Sequence, residues 1–360
     1  MLNCMYLIDT GVLRRRAPCL EMVMSILVTG GAGYIGSHTC VELIAAGHDP
    51  IIIDNFCNAS AESVKRVEKI TGKKIKLYEG DVRDGALLDK IFGENKIDSV
   101  IHFAGLKAVG ESCAKPIEYY DNNLAGTLVL LNAMRGRGCK KIVFSSSATV
   151  YGSPERLPLD ETCAVGGTTN PYSTSKYFQE IMLRDLYASD NEWTVVLLRY
   201  FNPVGAHESG MIGEDPKGIP NNLTPYIAKV AVGELKEVGV FGNDYDTPDG
   251  TGVRDYVHVV DLAKGHVAAI EKTTEHGVYT YNLGTGIGYS VLDVIHAFEK
   301  ACGHKLPYTV KPRRPGDIDS YYADASKAKR ELGWEAKLGI DDMCASIWKW
   351  QTKNPKGYNK

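Results

Sequence analysis

The stretch Ser25-Ile26-Leu27-Val28-Thr29-Gly30-Gly31-Ala32-Gly33-Tyr34-Ile35-Gly36 decides the fold. Its first residues are a strand-length apolar run, and the glycines at 30, 33 and 36 lead into a segment of helix length. Glycine at a strand-to-helix turn permits a tight bend, lets backbone N–H groups approach a pyrophosphate and allows close helix–sheet packing. The spacing is GxxGxxG rather than GxGxxG, and such turns are common, so the surrounding pattern has to carry the reading.

That pattern repeats. Short runs rich in Ile and Val recur at 50–53, 75–78, 98–103, 141–145 and 194–200, without strict alternation. This suits strands buried on both faces of a parallel sheet. Helix-length segments lie near 34–46, 85–93, 115–136 and 171–188. The rhythm predicts an α/β protein with a doubly wound, Rossmann-like parallel sheet over 24–200. Beyond residue 200, Pro and Gly become frequent (Pro203, Gly205, Gly213, Pro216, Gly218, Pro220), which predicts a smaller mixed α/β domain over 201–355. The boundary is soft, and Asp255-Tyr256-Val257-His258-Val259 is the candidate strand to return to the main sheet.

Composition excludes several classes. A chain of 360 residues with 44% hydrophobic and 24% charged residues is long enough for a large core, and a net charge of -3 gives no field for nucleic acid or an anionic membrane. No apolar run approaches the ~20 residues a membrane-spanning helix needs. The nine cysteines are scattered, odd in number and without a CxxC pair, as expected of reduced thiols in a cytoplasmic protein. No HExxH or His/Cys cluster appears, so no metal is expected. In residues 1–23 the basic run Arg14-Arg15-Arg16 follows the apolar part instead of preceding it, the wrong order for a secretory signal. A disordered appendage, or a start assigned too early, is the expected reading.

Three side chains suggest chemistry. Asn170 and Pro171 form a helix start, which places Tyr172 and Lys176 four residues apart on one helix face. Such a pair is common by chance, but Ser147 ends the fifth predicted strand, and strand C-termini and helix starts on one sheet edge face one crevice. A free phenol has a pKa near ~10, too high for a base at neutral pH. A nearby ammonium and an oxidised nicotinamide both favour phenolate, and lowering the phenol by about 3 pH units corresponds to roughly 4 kcal/mol. Tyr172 would then take a proton from a substrate hydroxyl held by Ser147 while hydride moves to NAD. Asp54 ends the second strand, where a carboxylate accepts from a ribose diol and repels a 2′-phosphate, favouring NAD over NADP. Asp81 ends the third strand and is either an adenine contact or a plain strand-end carboxylate.

Longer motifs are more specific. They are His102-Phe103-Ala104-Gly105-Leu106-Lys107-Ala108-Val109-Gly110-Glu111-Ser112, the SSSATVYG segment from Ser145 to Gly152, Arg199-Tyr200-Phe201-Asn202-Pro203-Val204-Gly205-Ala206, and Gly250-Thr251-Gly252-Val253-Arg254-Asp255-Tyr256. With these the chain, from about Met24 to its C-terminus, resembles the UDP-glucose/UDP-galactose 4-epimerases of the extended short-chain dehydrogenase/reductase group. The resemblance implies reversible inversion at C4 of a nucleotide-linked hexose, with tightly bound NAD, no net redox change, and UDP-hexoses as substrates.

It also implies residue roles. Ser147, Tyr172 and Lys176 match the catalytic group. Besides Gly30, Gly33 and Gly36, the positions Tyr34, Ile35, Asp54, Asn55, Asn58, Asp81 and Val82 match cofactor contacts. So do Phe103, Ala104, Gly105, Lys107, Asn122 and Tyr200, together with Ser147, Tyr172 and Lys176. Asn202, Asn222, Leu223, Arg254, Tyr256, Arg314 and Asp317 match nucleotide-sugar contacts. The two arginines suit a diphosphate through charge-assisted forks, and Asp317 suits a ribose diol. Read from residues alone, Arg254 is equally a surface ion pair with Asp255, and Phe201 is core packing.

Within the same fold, 4,6-dehydratases carry an acidic pair just after the serine or threonine, to expel the C6 hydroxyl. Ala148 and Thr149 stand there, so the resemblance favours epimerisation. A non-catalytic NAD-binding regulator would have no use for a phenolate. Tyr321 matches the position lining the sugar pocket, where bulk should crowd an acetamido group and favour plain hexoses. The family also implies a homodimer through a four-helix contact using the segments near 115–136 and 171–188.

Overall fold

The computed structural model describes residues 23–218, 220, 222–314 and 317–359. Residues 1–22 of the expected N-terminal appendage lie outside them.

Thirteen strands occur among the described residues. Six follow the anticipated runs: β1 (Ser25–Thr29), β2 (Asp49–Asp54), β3 (Lys76–Glu79), β4 (Ser99–His102), β5 (Lys141–Ser147) and β6 (Thr194–Tyr200). The remainder are β7 (Asn202–Val204), β8 (Val238–Phe241), β9 (Val253–His258), β10 (Gly277–Leu283), β11 (Gly288–Ser290), β12 (Tyr308–Lys311) and β13 (Ser320–Tyr321). The central sheet has the order β10-β6-β5-β4-β1-β2-β3, with every neighbouring pair parallel. Strand order reverses between β1 and β4, so a crevice opens at their C-terminal ends.

The missing alternation has its cause here. Ile26, Val28, Ile52, Val196 and Leu198 enter a core on one face of the sheet. Their neighbours Leu27, Ile51, Ile53, Val195 and Leu197 enter a second core on the other. Both faces are covered by helices, so the middle of each of these strands is apolar on both faces. A third core lies in the C-terminal half, under the helices Leu223–Ala231, Val291–Cys302 and Ile340–Lys353.

One expectation is corrected, and two details go beyond what the sequence implied. The strand that returns to the main sheet is β10, not the 255–259 segment, which lies within and just beyond β9 of a four-stranded sheet with β7, β11 and β13. The reason is Asp255: fully buried, its carboxylate accepts from Thr285 N, Gly286 N and Ala323 N, all in the small sheet's surroundings. A bare carboxylate inside the main sheet would lack those donors. The helix near 115–136 is present and contains a π-helical turn: Pro116–Tyr120, Asp121–Ala125 and Gly126–Gly136 follow one another without interruption. The helix Ala61–Thr71 was not anticipated. Its charged sequence shows few apolar positions, yet it is capped by Ser60 and ended by Gly72 at φ 71°.

The helix Pro171–Ser189 begins as expected, with the Asn170 side chain accepting from Ser173 N at 2.9 Å and Pro171 in its first turn. Two turns on from Tyr172, Glu180 braces it against the sheet. Its buried carboxylate accepts from Ser146 Oγ at 2.6 Å and from Arg199 Nε at 2.9 Å and Nη2 at 2.6 Å. The Arg199 guanidinium sits 4.7 Å from the Tyr151 ring centroid. Removing one member of a buried pair strands the other charge. Glu180→Ala should therefore cost about 3–5 kcal/mol in denaturant unfolding, and Glu180→Leu with Arg199→Met should recover most of it; equal losses in both would contradict this.

Candidate active site

The crevice is a cleft of about 1210 Å³ running across the C-terminal ends of the central strands into the C-terminal half. At one end the glycine turn is dictated sterically. Gly30 has φ +69°, and a Cβ there would stand 2.9 Å from Ala104 N. A Cβ on Gly36 would stand 2.4 Å from Gly30 O. Only bare backbone fits, which leaves the helix N-terminus open to a dinucleotide's phosphates.

Asp54, buried at the end of β2, accepts from Ala32 N at 3.0 Å and Phe56 N at 2.9 Å. Burial raises its pKa, while those N–H groups oppose the rise. Phe56 is held at φ 54°, a left-handed backbone that costs a non-glycine residue about 1–3 kcal/mol. Asp81 accepts from Arg83, at Nε and Nη2, and from Asn55 Nδ2, and the Arg83 guanidinium holds its carboxyl well below the usual range. These donors and acceptors suit the adenosine half of NAD.

Beneath the 103–107 loop lies a buried polar network that sequence reading missed. Asn123, on the π-helical turn, accepts from Leu106 N at 2.8 Å and donates to Leu106 O and to Ser175 Oγ. Gln179 donates to Asn123 O and Thr127 Oγ1, and His102 bridges Thr127 and Thr29. The network ties the loop of Phe103, Ala104, Gly105 and Lys107 to the helix carrying Tyr172 and Lys176. Extra backbone in the π turn sets Asn122 in the cleft and Asn123 below it.

Ser147, Tyr172 and Lys176 all line the cleft. Lys176 Nζ donates to Ser145 O at 2.7 Å and lies 4.7 Å from the Phe144 ring centroid; burial pushes it down to about 7. Burial also raises Tyr172, and the Ser147 hydroxyl beside it opposes that rise. The depression expected for Tyr172 is therefore not produced by the chain's own groups, because desolvation outweighs them. Thr149 Oγ1 donates to Ser147 Oγ at 3.0 Å, and positions 148 and 149 bring no carboxylate.

The other anticipated residues also line the cleft, except Leu223, Tyr256 and Arg314. Tyr256 is buried in the third core and Leu223 packs against it. Arg314 is exposed and paired with Asp317 at 2.8 Å, its guanidinium 5.1 Å from the Phe241 ring centroid. Among the described residues Arg254 pairs with no carboxylate; its Nη1 donates to Val253 O and Ile318 O. Phe201 is buried 5.7 Å from Tyr321, and the Tyr321 hydroxyl donates to Ala148 O beside Ser147. Tyr200 bonds His266 inside the core.

Cross-cleft contacts were also missed. Tyr34 Oη donates to Gly205 O at 2.6 Å, and Glu214 accepts from Lys107 at 3.2 Å and from Asn222 at 3.1 Å. Glu214 sits in irregular chain, where no periodicity or motif marks it.

A doubly wound sheet with Ser147 at a strand end, Tyr172 and Lys176 on the helix Pro171–Ser189 and a second half lining the same cleft has the architecture of an extended short-chain dehydrogenase/reductase. The chain matches the family model described as GDP-mannose 4,6 dehydratase over residues 27–347. It is 68% identical over 334 residues to a UDP-glucose 4-epimerase of Bifidobacterium longum subsp. longum, covering 93% of this chain and 98% of that one. It is 57% identical over 344 residues to the Homo sapiens UDP-glucose 4-epimerase, covering 94% and 99%. A crystal structure of UDP-glucose 4-epimerase from Bifidobacterium longum in complex with NAD+ and UDP superposes with a TM-score of 0.90 at 68% identity, covering 92% of this chain and 99% of that one. The chain belongs to the UDP-glucose 4-epimerase family.

Desolvation of Lys176 makes a measurable prediction. Its pKa falls from ~10.4 in the unfolded chain to about 7 in the folded one. Between these values the unfolded chain binds a proton the folded chain does not, so the lysine's contribution to stability rises with pH and is least below the folded value. Lys176→Met should stabilise dinucleotide-free protein by roughly 2–4 kcal/mol near neutral pH, with the gain shrinking towards about pH 10. A gain independent of pH in denaturant titrations would contradict it.

Proposed function

We propose that this chain is an NAD-dependent isomerase that interconverts UDP-galactose and UDP-glucose by transient oxidation at C4 of the hexose. The observation that carries the reading is the convergence of Ser147, Tyr172 and Lys176 on one cleft, with Ala148 and Thr149 in place of an acid pair. Without a proton donor for the C6 hydroxyl, elimination has no path, although the matching family model is described as a dehydratase. Bound NAD supplies the hydride acceptor and a positive ring that favours phenolate. Ser147 holds the C4 oxygen, and Tyr172 takes and returns its proton. Lys176, fixed at the Ser145 carbonyl, sets its amine on the floor of the site, where a phenolate at Tyr172 would favour the protonated form.

Arg254, Asn202, Asn222 and Asp317 form the nucleotide-sugar half, with Arg314 reaching the diphosphate from its present pairing with Asp317. The Tyr321 ring between Phe201 and the Ala148 carbonyl closes the sugar pocket, which supports preference for plain hexoses.

The reading extends to a cytoplasmic homodimer. The seven described cysteines are all free, in keeping with a reducing compartment. Ile117, Leu128, Phe178 and Ile181 are exposed on the helices of 116–136 and 171–189, an apolar face suited to a second copy. Light scattering should give twice the 39.4 kDa chain mass; a monomer at micromolar concentration would exclude the dimer.

Conversion of UDP-galactose to UDP-glucose by the purified protein tests the activity. Tyr172→Phe should lower kcat by about 10²–10⁴-fold, the range for loss of a general base, with dinucleotide still bound. Tyr321→Cys should raise turnover of UDP-N-acetylglucosamine relative to UDP-glucose. Full activity in the first variant, or unaltered sugar scope in the second, would refute the corresponding role.

A further inference from the structure

A cycle without net redox needs a cofactor that stays in place, yet the glycine turn and Asp54 cover only one wall of the adenosine end. Two segments far away in sequence, 210–217 and 354–358, also reach this cleft, lining it through residues 213–217 and 355–358. They are fastened to each other. Asn354 Nδ2 donates to Gly210 O at 2.9 Å, Tyr358 N donates to Asp215 Oδ2 at 2.8 Å, and Gly213 N donates to Tyr358 Oη at 3.2 Å. Gly357 is required at this crossing. It has φ +62°, and a Cβ there would stand 2.1 Å from Asp215 Oδ1.

The pair is fastened to the cofactor half at two points. Lys217 Nζ donates to Phe56 O at 3.0 Å and Cys57 O at 2.7 Å, the two carbonyls just beyond Asp54. Phe56 is the non-glycine residue with left-handed backbone, so its N–H is held by Asp54 and its carbonyl by Lys217. Arg66, on the helix that follows this loop, donates to Met211 O at 3.0 Å and Asn354 Oδ1 at 2.6 Å. Its guanidinium lies 5.0 Å from the Tyr358 ring centroid and 5.8 Å from that of Trp350, close enough for cation–π attraction.

We propose that segments 210–217 and 354–358 form a strap that retains the dinucleotide, with Lys217, Arg66 and Tyr358 as its fastenings. The strap acts on escape of the cofactor and not on the reacting atoms, so these are positioning residues. The inference rests on the function proposed above, since only a cofactor reused in place requires such retention. It also assigns a task to the C-terminal end of the chain, which carries none of the catalytic side chains.

The test uses holoenzyme purified with its bound dinucleotide. NAD released into the filtrate is followed over time in the presence of excess isotopically labelled NAD, for wild type, Tyr358→Ala and Lys217→Met. Lys217 is exposed, so its removal opens no core. Both variants should release NAD at least tenfold faster than wild type, and activity lost on dilution should return when NAD is added. Release within twofold of wild type in both would overturn the strap while leaving the epimerase reading intact. Wild-type protein that carries no dinucleotide would overturn both.

Discussion

Desolvation at the strand ends drives Lys176 and Tyr172 in the same direction, towards the uncharged form of each. A base of this kind needs the opposite for its phenol, and in the folded chain only the Ser147 hydroxyl works that way. The chain's own groups therefore do not lower the phenol's pKa, and on the proposed mechanism the positive charge that opposes desolvation would come with bound NAD. Much of the surrounding structure serves to hold that costly pair in place. Glu180 and Arg199 lock the helix to the sheet, and the Asn123–Gln179 network locks it to the loop that borders the cleft.

The second requirement is that two halves close on one cleft. The C-terminal half is not a separate body hung on the first. Strand β10 completes the main sheet, and the helix Val259–Lys272 packs against the helix Tyr34–Ala45 that follows the glycine turn. The buried carboxylate of Asp255 then joins β9, which carries Arg254, to the chain beside Tyr321. Arg254 and Tyr321 thus sit on paired strands of one sheet.

How much of this was legible in the sequence follows from what each feature depends on. The strands β1, β2, β4, β5 and β6 were readable because burial on both faces favours runs of Ile and Val, a signal that needs no tertiary knowledge; the edge strand β3 is not buried in this way. Tyr172 and Lys176 were readable because Asn170 and Pro171 mark a helix start. The return of β10 was not, because Gly277–Leu283 is a half-covered edge strand, while Arg254-Asp255-Tyr256-Val257-His258 looks equally strand-like until the partners of Asp255 are known. Glu214, Lys217 and Tyr358 were invisible because their roles arise from long-range contacts made by irregular chain. The extent of burial at Tyr172 was not legible for a related reason: local sequence places a cation nearby but says nothing of how completely water is expelled.

Isotope transfer reaches the central claim most directly. Holoenzyme incubated with UDP-galactose carrying deuterium at C4, in ordinary water and without added cofactor, should yield UDP-glucose with the deuterium still at C4. Loss of that deuterium to solvent, or its appearance in NADH released from the protein, would contradict a stereocentre inverted in place by a retained oxidant.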